Sequence, residues 1–125
     1  MKTFYHFTNE HRLHPIKQYG LCLGDTVIDT RKGINAVNLT QESRYHDPSR
    51  NNLNLEVGAD YRITVRLSLN DMRLRSMVSM TKVYPKMRRF HKDANSSVTH
   101  GNYKKHWIYE GQITPDKFVA IHKWN

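Results

Sequence analysis

The sequence predicts one α+β domain organised on antiparallel strand pairing. Its clearest strand is residues 61–67, where Tyr, Ile, Val and Leu alternate with Arg and Thr, as in a sheet with one solvated face. The other apolar segments are short and are separated by polar loops. We therefore expect about five or six short strands and a few small helices in a single domain, residues 1–125, without internal repeats.

The chain opens with an aromatic run, residues 4–7, that predicts a short strand. His6 and Thr8 are two positions apart, so on an extended segment they point to the same side. A histidine in such a place is either a hydrogen-bonded core residue or a group that binds a ligand.

A short helix is predicted to follow this strand. Asn9 favours a turn, because its side-chain oxygen can accept from free backbone N–H groups. Pro15 is comfortable in the first turn of a helix, so the helix proper is predicted at residues 15–19, after a loose turn. Gly20 can adopt the left-handed conformation that ends a helix.

Alternation and turn residues predict the remaining elements. A polar stretch at 41–54 interrupts them, and a loop of that length is uncommon in a compact domain unless it serves a site. Residues 91–105 are predicted to form a basic loop. Further strands are predicted at residues 26–28, 34–40, 106–109 and 117–123, and a short helix at 72–77.

The chain is strongly basic, with 20 Lys and Arg against 11 Asp and Glu and a net charge of +9. This balance favours encounters with polyanions, namely nucleic acid, acidic proteins or a dinucleotide. The basic run 82–92, with Tyr84 and Phe90 interleaved, is either a nucleic-acid track or a solvated face.

Composition also argues against several classes of site. Cys22 is the single cysteine, so no internal disulfide can form, and a reducing compartment, the cytoplasm, is expected. No apolar run approaches the roughly 20 residues of a membrane span, and no membrane partner is expected. The histidines lack the spacing of a zinc ligand set, and the sequence has neither a nucleophile elbow nor a glycine-rich phosphate loop.

The stretch Tyr-His-Phe-Thr at 5–8, followed by a short helix that ends in Gly20-Leu21, resembles the opening of the ADP-ribosyltransferase superfamily. The resemblance is closest to the branch that holds the RNA 2′-phosphotransferases and small DNA- or protein-modifying toxins. It implies an ADP-ribosyltransferase-like fold: two small, mostly antiparallel sheets with a central cleft and a few short helices. It also implies NAD as the co-substrate, bound in that cleft.

The resemblance assigns roles to particular residues. In that branch the histidine of the first strand is an NAD ligand, here His6, with Thr8 also near the adenosine. Thr40, at the end of the second strand of the family pattern, would form the floor of the nicotinamide pocket. Arg44 is the candidate for the phosphates, because a guanidinium fork matches phosphate oxygens. Tyr45 would stack on the nicotinamide ring.

A second stretch, Trp-Ile-Tyr-Glu-Gly at 107–111, also resembles the family and makes Glu110 the candidate catalytic carboxylate, alongside His6. A carboxylate that accepts a hydrogen bond from the ribose 2′-hydroxyl stabilises the oxocarbenium-like state in which the nicotinamide bond breaks. The residue two before Glu110 is Ile108, so the Glu-x-Glu or Gln-x-Glu pattern of arginine-modifying toxins is absent.

Three kinds of function remain open on these grounds. The first is transfer of ADP-ribose from NAD to a macromolecular acceptor, either nucleic acid or an acidic protein. The second keeps the fold but changes the reaction, to RNA 2′-phosphate transfer or to NAD hydrolysis. The third is a non-enzymatic basic module that binds nucleic acid.

Overall fold

The described part of the chain is built mainly from antiparallel β-strands, with two helices. A computed structural model of the chain describes residues 1–22, 25–29, 32–43, 61–84 and 105–123. The strands are β1 (Lys2–Thr8), β2 (Asp25–Asp29), β3 (Lys32–Thr40), β4 (Tyr61–Leu67), β5 (Leu74–Ser76), β6 (His106–Glu110) and β7 (Phe118–Lys123). The helices are α1 (Glu10–Tyr19) and α2 (Met77–Val83), and a 3-10 turn (Pro115–Lys117) precedes β7. The predicted α+β class is confirmed.

The strands lie in the order β5-β6-β3-β1-β4-β7, and β2 pairs with β3 beside this path. β1 pairs with β4 over its whole length, and β3 pairs with β6 from Ala36 to Thr40. Between β1 and β3, the described register is the single pair Tyr5↔Thr40. The prediction of two separate sheets is therefore corrected to one sheet, because this pair carries backbone hydrogen bonding from one half to the other.

Helix α1 begins earlier than predicted. The side chain of Asn9 accepts a hydrogen bond from the backbone N–H of Arg12 at 3.1 Å, and Glu10 places a negative charge in the first turn. Both features stabilise a helix start, so the helix forms directly after β1 instead of at Pro15. Pro15 lies inside the helix, where its missing N–H leaves the carbonyl of His11 without its usual donor.

The end of α1 is fastened to the segment that follows β6. Gly20 has a φ of +91° and donates its N–H to the carbonyl of Ile16 at 2.8 Å. The next residue, Leu21, exchanges two backbone hydrogen bonds with Ile113, at 2.9 and 2.8 Å. The side-chain amide of Gln112 also donates to the carbonyl of Tyr19. These bonds fix the position of α1 on the sheet.

The main core lies between α1 and one face of the sheet, which we call the α1 face. Leu13 and Ile16 of the helix pack there against the inward side chains of both halves of the sheet, including Phe4, Val37 and Ile63. Phe4 also meets Trp107, with ring centroids 5.1 Å apart. The further buried members of this cluster are Leu21, Leu39, Val65, Leu67, Leu74, Tyr109 and Ile113.

A smaller core lies on the other face, which we call the α2 face. Met77 and Met80 of α2 pack there against Ala36 of β3 and Ile108 of β6. Helix α2 therefore covers the half of the sheet that contains β3 and β6.

The helix predicted at residues 72–77 is wrong. Leu74 is buried and pairs with Tyr109, so β5 occupies residues 74–76. The helix begins only at Met77, where the hydroxyl of Ser76 accepts from the backbone N–H of Ser79 at 3.1 Å. Residues 74–76 therefore form a strand paired with β6, although their local sequence favours a helix.

The other predicted strands, including the one at residues 4–7, where β1 covers 2–8, agree with the structure to within two residues at either end. The strand at 61–67 is confirmed as β4. The predicted excursion at 41–54 and the basic loop at 91–105 lie almost wholly outside the described residues. Within the described ranges, no helix is both long enough and apolar enough to cross a membrane.

Candidate functional site

His6 lies where β1 and β3 stop pairing. It follows Tyr5, whose pairing with Thr40 is the described link between the two strands. The imidazole Nδ1 lies 2.8 Å from the backbone carbonyl oxygen of Asn38. A carbonyl oxygen can only accept, so Nδ1 carries the proton and donates. The His6 ring thus donates to the Asn38 carbonyl oxygen at a point where β1 and β3 are no longer paired.

Burial and the contact with Asn38 together set the protonation state and tautomer of His6. Desolvation by burial lowers the pKa of this imidazole below its usual 6.5, with a smaller lowering from the Arg12 guanidinium, although the bond to Asn38 acts in the opposite direction. His6 is therefore neutral at neutral pH. With the proton held on Nδ1, the Nε2 lone pair is available to accept a hydrogen bond.

Thr8 shares the α1 face with His6, as their spacing on the strand predicts. The residue is only 6% exposed. Its hydroxyl oxygen is buried, and among the residues that the structure describes it has no hydrogen-bond partner. A buried hydroxyl without a partner costs free energy, so such a group marks a place where a polar ligand or water would be stabilised.

Sequence reasoning placed His106 at the start of a predicted strand but assigned it no role in a site. It is the first residue of β6 and is fully buried. Its Nε2 lies 3.0 Å from the side-chain oxygen of Asn38. Asn38 therefore contacts two histidines, His6 through its backbone oxygen and His106 through its side chain. The available signal was the aromatic run after His106, which predicted a strand there.

Thr40 is buried at the end of β3, opposite both Tyr5 and His106. Its hydroxyl accepts from the backbone N–H of Glu42 at 3.1 Å, which closes the turn after the strand. Gln41 accepts from the indole N–H of Trp107 at 3.0 Å. Thr40 thus lies beside His106 on the α2 face, on the other side of the sheet from the His6 ring, and its hydroxyl already has one partner.

Glu110 lies apart from His6. It is the last residue of β6, opposite Ala36, and its carboxylate lies 3.4 Å from the guanidinium of Arg75 with 37% of the side chain exposed. Strand alternation places Glu110 on the α2 face with Ile108, whereas His6 shares the α1 face with Phe4. The structure therefore brings together His6 and Thr8, whereas Thr40, which has the parity of Ala36 on β3, lies with Glu110 on the α2 face.

Arg44 and Tyr45, the predicted phosphate and nicotinamide contacts, lie outside the described residues. Most of the basic run 82–92 lies outside them as well. No group of three or more metal-ligating side chains occurs in the described ranges.

The most strongly shifted carboxylate, Asp71, has a structural role. It accepts from the Arg73 guanidinium at 3.2 Å and from the Tyr109 hydroxyl at 2.7 Å. These bonds, Arg73 first, lower the pKa of Asp71 to about 2, while burial and the bond to Asp71 raise the pKa of Tyr109 to about 12. Neither group changes charge near neutral pH. The hydrogen bond between Asp71 and Tyr109 attaches the turn before β5 to β6.

The fold and site define an α+β domain in which a neutral histidine shares one strand with a buried hydroxyl that has no hydrogen-bond partner within the described ranges. No family model, curated protein or solved structure matches the chain.

The lowered pKa of His6 predicts a loss of stability in mild acid. The unfolded histidine titrates near 6.5 and the folded one lower, so below about pH 6.5 the unfolded chain binds more protons. The free energy of unfolding is then expected to fall with pH, by at most about 1.4 kcal/mol per pH unit for this one group. Urea unfolding between about pH 7.5 and pH 5.5 measures the slope.

The variant His6→Gln removes this titration and should flatten the slope. His14 is exposed on α1, and His14→Gln serves as the matched control with an unchanged slope. Equal slopes for the wild type and His6→Gln would contradict the assignment.

Proposed function

We propose that this protein is a small NAD-dependent ADP-ribosyltransferase that transfers ADP-ribose to a macromolecular acceptor. The observation that carries the proposal is the pair formed by His6 and Thr8. The imidazole is held in one tautomer by Asn38, and the hydroxyl beside it is buried and has no hydrogen-bond partner in the described part of the chain.

This pair suits the hydroxyl groups of a ribose. His6 Nε2 accepts from one ribose hydroxyl, because its Nδ1 proton is already committed to Asn38. The Thr8 hydroxyl can both donate to and accept from a second one. A neutral imidazole also avoids placing a positive charge in a buried site, so binding does not require a change in protonation. We assign His6 and Thr8 to the adenosine ribose of NAD.

Glu110 is the proposed catalytic carboxylate. It would accept from the 2′-hydroxyl of the nicotinamide ribose as positive charge develops there, and it could help to deprotonate the incoming nucleophile. Its ion pair with Arg75 is partly exposed on both sides and contributes little stability, so exchanging Arg75 for substrate costs little. Glu110 lies on the other face of the sheet from His6, so an NAD molecule held at His6 and Thr8 would have to pass around the sheet to reach it, and this separation counts against the carboxylate assignment. Its role is therefore tested separately from NAD binding.

The separation of Glu110 from His6 also favours a second candidate function. If the carboxylate serves only its ion pair with Arg75, the domain is a non-enzymatic basic binding module. The two candidates differ in turnover, because a binding module releases no nicotinamide.

Incubation with NAD, alone and with DNA, RNA or acidic protein, tests the proposal through nicotinamide release measured by chromatography. We expect release to depend on an acceptor. His6→Ala and Thr8→Val should weaken NAD binding in calorimetry, and Glu110→Gln should lower turnover by about 10²-fold while NAD still binds. The control is His14→Ala, on an exposed position of α1.

The outcomes separate the alternatives. Release without any acceptor indicates NAD hydrolysis, and release only with 2′-phosphorylated RNA indicates phosphate transfer. Binding without release supports the binding module. If Glu110→Gln turns over like the wild type, the carboxylate assignment is wrong although NAD use stands. No binding and no release would overturn the proposal as a whole.

A further inference from the structure

The strands β1, β4 and β7 carry a second surface, on the α2 face of their half of the sheet. Phe7 lies directly opposite Arg62, and Arg62 lies directly opposite His122, so these three side chains share one face. Tyr5 and Arg66 have the same parity on their strands and join them. We call these five residues, Tyr5, Phe7, Arg62, Arg66 and His122, the aromatic-basic face.

Neither described helix packs its apolar side on this face. Leu13 and Ile16 of α1 belong to the core on the opposite face, and the methionines of α2 pack on Ala36 and Ile108 in the other half of the sheet. Arg66 and His122 are exposed, and Tyr5, Phe7 and Arg62 are partly exposed.

The described strands of this face carry no acidic side chain, because β1, β4 and β7 contain no Asp or Glu. The basic side chains that strand alternation places on the face are Arg62, Arg66 and His122, whereas Lys2 and Lys123 lie on the α1 face. The Arg62 guanidinium lies 5.2 Å from the centre of the Tyr5 ring and also donates to the carbonyl of Ser43 at 2.7 Å. A chain with a net charge of +9 thus places aromatic rings and cations together without a neighbouring carboxylate on these strands.

We propose that the aromatic-basic face binds single-stranded nucleic acid. Tyr5 and Phe7 are two residues apart, which on a strand is about 7 Å, so successive unpaired bases can stack on their rings. Arg66 lies one strand away and is exposed, so its guanidinium group reaches the phosphates, while Arg62 is held by Ser43 and by the Tyr5 ring. A duplex hides its bases and cannot use the rings, so the face selects single strands. This binding does not depend on NAD turnover.

Fluorescence anisotropy with labelled oligo-uridylate and oligothymidylate of about 12 nucleotides tests the proposal. We expect both to bind more tightly than a duplex of equal length, with an affinity that falls as salt rises. Tyr5→Leu should weaken binding about tenfold, and Tyr5→Phe, which keeps the ring, should not. Arg66→Gln should reduce the salt slope by about one. Arg12→Gln on α1 is the charge-matched control and should bind like the wild type.

Several results would overturn the proposal. Arg66 is exposed, so Arg66→Gln is expected to fold, and circular dichroism checks this for every variant. If Tyr5→Leu and Arg66→Gln bind as the Arg12→Gln control does, the face is not the binding site. If polyglutamate displaces the oligonucleotides equally well from the wild type and from Tyr5→Leu, the surface recognises charge alone and an acidic protein is the better partner.

Discussion

Replacing Gly20 by alanine is expected to lower the free energy of unfolding by about 3 kcal/mol. The φ of +91° at this position disfavours any residue with a side chain. In addition, a Cβ there would overlap the carbonyl oxygen of Ile113 and lie 3.0 Å from its carbonyl carbon. Both are backbone atoms of Ile113, whose carbonyl oxygen accepts from the Leu21 N–H, so they cannot move without breaking the attachment of α1. Urea unfolding followed by circular dichroism measures the loss.

Gly111 provides the matched control. It also has a positive φ, +104°, but the nearest heavy atom to an added Cβ is the Arg73 Cδ at 4.0 Å. Gly111→Ala therefore carries the backbone strain without the overlap, and we expect a loss of about 1 kcal/mol. The difference between the two variants isolates the close approach of α1 to the segment after β6. Equal losses would show that this approach is unimportant.

Replacing Asn38 by alanine is expected to cost about 2 kcal/mol, because it removes the side-chain oxygen that lies 3.0 Å from Nε2 of a fully buried histidine. The bond from His6 goes to the backbone oxygen of Asn38 and should survive the substitution. The variant therefore separates the His106 contact from the His6 contact. Urea unfolding gives the stability, and the NMR signals of the His6 ring report whether its environment is kept.

Asn70→Ala is the control, because Asn70 is exposed in the turn after β4 and its loss should change stability by less than about 0.5 kcal/mol. A double-mutant cycle with His106→Leu gives the coupling between the two side chains. A coupling near zero would mean that the Asn38 amide does not hold His106, and that the contact contributes nothing to the site.

Some of the candidate site could be predicted from sequence. The same-side placement of His6 and Thr8 follows from strand alternation, which is a local property. The position of Thr40 at the end of a strand was also correct. The role of His106 was missed although the strand that it begins was predicted. Its partner Asn38 is 68 residues away, and no local pattern connects the two.

The expected grouping of His6 with Glu110 depended on both side chains facing one cleft. That grouping is decided by the register of β1 against β3 and of β3 against β6. A shift of one residue in either register would move the side chains to other faces, so sequence spacing alone cannot decide it. The observed register gives them opposite faces, which is why the tests of NAD binding and of the carboxylate are separate.

The amino-acid sequence by itself determined where most strands run, that Gly20 ends the first helix, and that the chain carries a net charge of +9. These properties arise from contacts between residues close in sequence or from composition. Only the tertiary structure decided that residues 74–76 form a strand, that one sheet replaces two, and that Asn38 bridges two histidines. Such features depend on pairing and packing between strands that are distant in the sequence. Their stability comes from the sheet and its core as a whole, so no short stretch of sequence reveals them.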